Sequence, residues 1–329
     1  MQKEIAYQKN IYSKFFKVAS RVWGMKDILV NIYMIQSPDG SWVLIDAGIR
    51  SSGSKIKKMA LQLFGQTKPT CIILTHGHFD HIGSLNELIE EWNVPIFAHY
   101  LELPYLTGKS SYPPPDPSVG GGLLSTLSFL YPSTPINIWN KINVLDTDKI
   151  PGLPEWKSFH TPGHTPGHIS LYRESDGVLL AGDAFVTTRQ ESVLSVLFQT
   201  KKISGPPKYF TYDWAQARQS VKSLMKLEPD IVATGHGKPM QGKEVRRSLH
   251  YLSEHFYEIA VPSSGRYIQE PAVADATGVV YIPPKNINSR SIVIKLLTIT
   301  AAFSFTYLLL HKKIKHTKKK KEALAYEIW

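Results

Sequence analysis

Cysteine is almost missing from this chain of 329 residues, since Cys71 stands alone. That count excludes an intramolecular disulfide framework and any zinc site built from paired cysteines, and it fits a reducing compartment. The first twenty residues have no seven-residue apolar run and interleave Lys3, Glu4, Lys9, Lys14 and Lys17 with polar side chains. No cleavable secretory signal is expected there. With 43% hydrophobic and 20% charged residues, disorder and low complexity do not describe the bulk of the chain.

The body also lacks a basic face. Of the net charge of +11, the stretch from Lys285 onward contributes +8, and the preceding 284 residues carry only +3. A nucleic-acid enzyme spreads positive charge over its folded surface, whereas a basic run at one end reads as a tail. No nucleic-acid partner is expected. A body of about 280 residues is long enough to bury a substantial core.

Ahead of the terminal lysines, Ile292 to Leu310 is a 19-residue stretch with one charge, Lys295, and Lys312, Lys313, Lys315 and Lys318 to Lys321 follow it. As a helix it would span roughly 28 Å, close to the roughly 30 Å hydrocarbon core of a bilayer. The pattern predicts a membrane-contacting or transmembrane helix over 292–310 within a C-terminal region, 285–329. On this reading the membrane is a partner, the lysines lie against anionic lipid, and the body is membrane-associated on the cytoplasmic side.

Within residues 1–284, strand and helix patterns alternate. Ile28 to Ile35 and Trp42 to Ile45 read as a hairpin around Ser37-Pro38-Asp39-Gly40. Lys55 to Phe64 and Leu85 to Trp92 read as helices, with short strands at Cys71 to Leu74 and Ile96 to Ala98. Further strands are expected at Trp156 to Phe159, Ile169 to Tyr172, Val178 to Leu180 and Ile231 to Ala233. Helices are expected over Asp213 to Leu227 and Lys243 to Tyr257. An α/β sheet with helices outside follows. The stretch YPPPDPSVGGG, Tyr112 to Gly122, suits neither a helix nor a central strand. It marks a loop or cap insertion over 110–135.

The densest chemistry is Thr75-His76-Gly77-His78-Phe79-Asp80-His81, directly after an apolar strand. Three imidazoles and a carboxylate on one tight loop suit zinc, with iron or manganese as alternatives. Three other apolar strands end in comparable donors. His160, His164 and His168 lie in HTPGHTPGH, where Pro162 and Pro166 forbid a helix, so one or two of them should reach a shared ion. Asp183 follows Gly182, and His236 lies between Gly235 and Gly237, where small neighbours let the backbone turn. Asp46 is expected to orient a loop or a histidine by hydrogen bonding, and Gly83 to let the next helix begin close to the cluster.

Together these motifs resemble the metallo-β-lactamase-fold hydrolases, in particular the glyoxalase II-like and lactonase-like branches. The matching segments are His76-x-His78-x-Asp80-His81, Thr161 to Thr165, Gly182-Asp183 and Gly235-His236-Gly237, within residues 28–240. The resemblance implies a four-layer αββα sandwich with two zinc ions per chain. It places one ion on His76, His78 and His164 and the other on Asp80, His81 and His236, with Asp183 bridging. It further implies that a zinc-bound hydroxide attacks an ester, thioester or lactone of a small-molecule substrate, and that Asp80 orients it and passes a proton. A mononuclear iron enzyme similar to persulfide dioxygenases and a phosphodiesterase of the same fold are the alternatives. Tyr209 or Tyr212 could supply the tyrosine that lactonases of this fold hold near their metals. Glutathione recognition has no support, since no run of basic residues is present to hold it.

Overall fold

A computed structural model of the chain describes residues 15–285. Seven strands form the first sheet in sequential order: β1 (Phe15–Ala19), β2 (Val22–Asp27), β3 (Val30–Gln36), β4 (Trp42–Ile45), β5 (Ile72–Ile73), β6 (Ile96–Ala98) and β7 (Ile142–Val144). The first four run antiparallel, and β4 to β7 run parallel. The second sheet comprises β8 (Trp156–His160), β9 (Ile169–Arg173), β10 (Val178–Leu180), β11 (Ile231–Ala233) and β12 (Met240–Gln241), in the order β12-β11-β10-β9-β8. A separate hairpin pairs β13 (Val273–Asp275) with β14 (Gly278–Tyr281).

Side chains alternate across a strand, and here the alternation sorts them into layers. On one face of the first sheet, Met34, Leu44 and Ile72 join Ile56 and Met59 of α1 (Gly53–Phe64). Leu85 and Leu88 reach the same cluster; α2 (Phe79–Ile82) precedes them and α3 (Leu85–Trp92) carries them. The opposite face sends Ile35, Val43, Ile45 and Ile73 into a second cluster with Leu171, Val178, Leu180 and Ala233 of the other sheet. The outer face of that sheet, through Tyr172, Leu179 and Val232, meets two further helices.

Those helices complete a series of short and long ones: α4 (Leu103–Leu106), α5 (Leu123–Thr126), α6 (Val193–Phe198), α7 (Trp214–Met225), α8 (Lys243–Glu254) and α9 (Phe256–Ile259). On α7, Trp214, Ala217, Val221 and Leu224 fall at helical spacing and pack with Val245, Leu249 and Leu252 of α8. Asp213 caps α7 by accepting from Gln216 N–H at 2.9 Å. Three apolar layers between helix, sheet, sheet and helix make the αββα sandwich that the motifs imply. Each fully buried Leu or Ile contributes about 1.5–3 kcal/mol to it.

Three expectations change. The helix expected over Lys243 to Tyr257 is broken at His255 into α8 and α9. The apolar run from Ile28 does not begin as a strand, because Ile28, at φ +54° and 56% exposed, lies in the turn between β2 and β3. The membrane-crossing helix is corrected as well. No helix among the described residues is long and apolar enough to cross a membrane, and 292–310, on which that expectation rested, lies outside the described residues.

Candidate metal centre

Cross-sheet hydrogen bonds bring the strand ends of both halves to one edge. Asn31 Nδ2 donates to the carbonyls of Thr234 at 2.9 Å and Gly237 at 2.6 Å, and Ile169 N donates to Thr75 O at 3.0 Å. The loop after β5 therefore faces the loops after β8, β10 and β11. Close backbone approach tightens the arrangement at two glycines. A Cβ on Gly83 would sit 2.4 Å from Arg50 N, and one on Gly235 would sit 2.0 Å from Asp183 Oδ1.

The structure gathers all seven expected donors, every one of them buried. Ligand atoms of His76, His78 and His164 lie within 4.8 Å of one another, as do those of His76, His81 and Asp183, and those of Asp80, His81 and His236. His78 Nδ1 stands 3.0 Å from His164 Nε2. Asp183 Oδ2 lies 3.4 Å from His164 Nε2, 3.0 Å from His236 Nε2 and 3.8 Å from His81 Nε2, so one carboxylate reaches both groups. Asp80 Oδ2 is 3.6 Å from His236 Nε2.

The far side of most of these rings is already engaged, which decides where each lone pair points. His236 donates from Nδ1 to Leu29 O at 2.6 Å. His81 donates from Nδ1 to Asp46 Oδ2 at 2.7 Å. Thr75 Oγ1 donates to that same Oδ2 at 2.8 Å and so accepts from His76 Nδ1 at 3.1 Å. Tyr212 Oη lies 3.2 Å from His78 Nε2. In their neutral forms His76, His81 and His236 thereby turn the other nitrogen toward the cluster as an acceptor. Among the described residues, His76 Nε2, His81 Nε2 and Asp183 Oδ1 are buried with no hydrogen-bond partner. Buried lone pairs that converge without donors are costly unless a cation takes them, so these residues fit a metal ion.

Charge is divided between the two groups. Burial, then the neighbouring imidazoles, hold His76 and His78 well below the ordinary histidine range, and burial brings His164 down to about 3. Three neutral nitrogen donors result. On the other side burial also opposes the charged form, but Asp46, Asp80 and Asp183 overcome it and push His81 up to about 10, so that a proton and a cation compete for its Nε2. His236 is raised as well, with Asp183 as the main opposing influence to burial. Asp183 is lowered despite its burial, because His236, His81 and His164 favour its anion.

The remaining histidines separate. His168 lies outside the donor groups and works on the backbone: its Nε2 accepts from Asp183 N–H at 2.8 Å, and its Nδ1 donates to Thr161 Oγ1 at 2.8 Å. His160 bonds to Pro166 O through Nε2 at 2.8 Å and stacks on His99 at 4.1 Å between centroids. Aromatic rings wall the centre. Phe210 stacks on His78 at 4.3 Å, and Tyr131 of the 110–135 segment packs against Phe79 at 5.7 Å and Phe210 at 5.9 Å. Tyr212, one of two tyrosines singled out in the sequence, touches a donor histidine, while Tyr209 packs against Tyr131 at 5.5 Å. Phe210 carries no sequence signal beyond its apolar surroundings.

Known proteins resemble the chain throughout this region. The family model described as the metallo-beta-lactamase superfamily matches residues 25–236. The probable metallo-hydrolase YflN of Bacillus subtilis is 46% identical over 248 residues, covering 74% of this chain and 94% of that protein. The hydroxyacylglutathione hydrolase GloC of Haemophilus influenzae is 28% identical over 184 residues, covering 55% of this chain and 75% of that protein. In fold, the crystal structure of a beta-lactamase domain protein from Burkholderia ambifaria aligns with a TM-score of 0.50 at 23% identity, covering 74% of this chain and 76% of that one.

Proposed function

The chain belongs to the metallo-β-lactamase superfamily, and on that premise we propose that it is a metal-dependent hydrolase using two zinc ions to cleave an ester, thioester or lactone of a small apolar molecule. The observation that carries this reading is the convergence of seven buried donors from four strand-end loops, several with lone pairs unmatched among the described residues. His76, His78 and His164 would hold one ion, Asp80, His81 and His236 the other, and Asp183 both. Ions so held supply an acidified water and polarise the attacked carbonyl.

The protein's own groups do the rest. Asp80, at 8% the most exposed of the seven, has a carboxylate able to accept a proton from the attacking water and return it to the leaving group. Phe210 stacks on His78 and with Phe79 and Tyr131 offers an apolar face there, which favours an acyl group over a charged substrate. The likeness to GloC supports acyl chemistry, while the choice among ester, thioester and lactone falls to assay.

Metal analysis of the purified full chain, with hydrolysis of a panel of acyl esters, thioesters and lactones, tests the proposal. About two zinc ions per chain with metal-dependent turnover are expected, and His78→Ala should abolish that turnover in a folded protein. One iron per chain with oxygen consumption, or full activity in the His78 variant, overturns it.

A further inference from the structure

Glu102 is a fully buried carboxylate that none of the proposed chemistry uses. It follows β6 in the first half of the fold, yet its two oxygens face different halves. Oε2 accepts from Gly77 N at 2.9 Å and from the hydroxyl of Tyr112. Oε1 accepts from Thr165 Oγ1 at 2.8 Å and from Gly167 N at 2.8 Å. Gly77 separates the donors His76 and His78, and Thr165 follows the donor His164.

Space around this carboxylate is as restricted as its bonding. A Cβ on Gly167 would lie 2.8 Å from Glu102 Cγ, and one on Gly77 would lie 2.8 Å from Tyr112 Oη. Tyr112 is clamped in turn, its ring stacked on Tyr105 at 3.8 Å and set 4.6 Å from His78. Burial raises the carboxyl above its ordinary range, and the hydrogen bonds of Tyr112, Thr165, Gly167 and Gly77 work against that rise. Four donors on one buried carboxylate match its full acceptor capacity, and the anion ties together two loops that share no strand pairing.

We propose that Glu102 is a positioning residue: it fixes the separation of the His76-Gly77-His78 loop from the His164-Thr165 loop, and so sets the geometry of the three-imidazole site. The inference rests on the metal-centre reading above. It differs from a general contribution to folding in one respect, because it acts on one ion and not on the other. The donors of the second site, Asp80, His81 and His236, make none of the four hydrogen bonds to Glu102.

Glu102→Gln keeps the shape, removes the charge, and forces an amide N–H2 against N–H and O–H donors on one of the two sides. Cobalt(II) titration of the metal-free full chain, followed by visible absorption and by competition with a chelator, resolves the two ions. The phase lost in His78→Ala identifies the three-imidazole site. In Glu102→Gln that phase should weaken by about 10–100-fold, in line with other outer partners of metal ligands, with a changed absorption band and the other phase within about threefold. Tyr112→Phe, which removes one hydroxyl, should weaken the same phase by a smaller factor, and it decides the matter if the Gln variant does not fold. Unchanged affinities in the folded variants, or an equal loss in both phases, overturn the role of Glu102. A wild-type chain that takes up no metal sinks the metal-centre reading itself, and this inference with it.

Discussion

Replacing Asp46 with Asn tests how the centre is held while leaving the backbone where it is. Asp46 adopts φ +63°, a left-handed conformation that Asn tolerates about as well, and the two side chains share a shape. Hydrogen bonding is what changes. Oδ2 accepts from His81 Nδ1 and from Thr75 Oγ1, and Oδ1 accepts from Thr75 N at 2.8 Å. An Asn that keeps its carbonyl toward the pair of donors turns its own N–H2 against the Thr75 N–H; the flipped amide turns it against His81. Either way a buried donor loses its acceptor, which costs about 1–3 kcal/mol, and the imidazole loses its anionic partner. Outer partners of ligating histidines typically contribute about 10–100-fold in metal affinity. At about 1.4 kcal/mol per decade that is about 1.4–2.8 kcal/mol, in agreement with the hydrogen-bond count. Chelator competition for zinc on the full chain measures the change, with circular dichroism reporting the fold. Wild-type zinc affinity in a folded Asp46→Asn protein would refute the claim that Asp46 orients His76 and His81.

Two further outcomes follow from the packing and the charges. Gly83→Ala presses a methyl group into the backbone of Ile49 and Arg50 and should cost about 1–3 kcal/mol in denaturant unfolding, the usual range for overpacking; wild-type stability would mean that the helix start has room to shift. His99 is held down to about 4 by burial and by its stacked neighbour His160, against an ordinary value of 6.5. A depressed histidine stays neutral in the fold while the unfolded chain takes up a proton, so stability falls as pH drops from about 6.5 toward 4. Discounted for the solvent that reaches the ring, the loss between pH 7 and pH 5 should be about 1 kcal/mol. Denaturation of wild type and His99→Asn at both pH values checks it, and identical pH dependence in the two proteins counts against it.

The donor set was legible because its chemistry is local. His76, His78, Asp80 and His81 lie within six residues, and Asp183 and His236 each follow a short apolar strand that the structure keeps unchanged, Val178–Leu180 and Ile231–Ala233. The layers were legible for the same reason, since apolar runs mark buried strands whichever way they turn. Strands β1 and β2 went unseen, because Phe15–Ala19 and Val22–Asp27 mix Lys17, Lys26 and Asp27 with apolar residues. The role of Glu102 could not be read at all. Thr165 and Gly167 are more than sixty residues from Glu102 along the chain, and a buried carboxylate in LELPYL looks like any surface glutamate until its donors arrive.

The aromatic wall reaches the donors from outside the sheets that carry them. Tyr131, Phe210 and Tyr212 belong to no strand of either sheet, and the chain leading to Tyr131 meets the stretch after β10 through a backbone bond from Leu124 N to Glu191 O at 3.3 Å. Substitutions at Tyr131, whose ring packs on Phe79, Tyr209 and Phe210, alter that wall without removing a hydrogen bond to a donor, whereas Tyr112 and Tyr212 are tied to the donor loops. Selectivity can therefore diverge between close relatives whose hydrolytic machinery is the same, and exchanging Tyr131 and its neighbours within the 110–135 segment, with Tyr112 retained, is the economical way to transplant it.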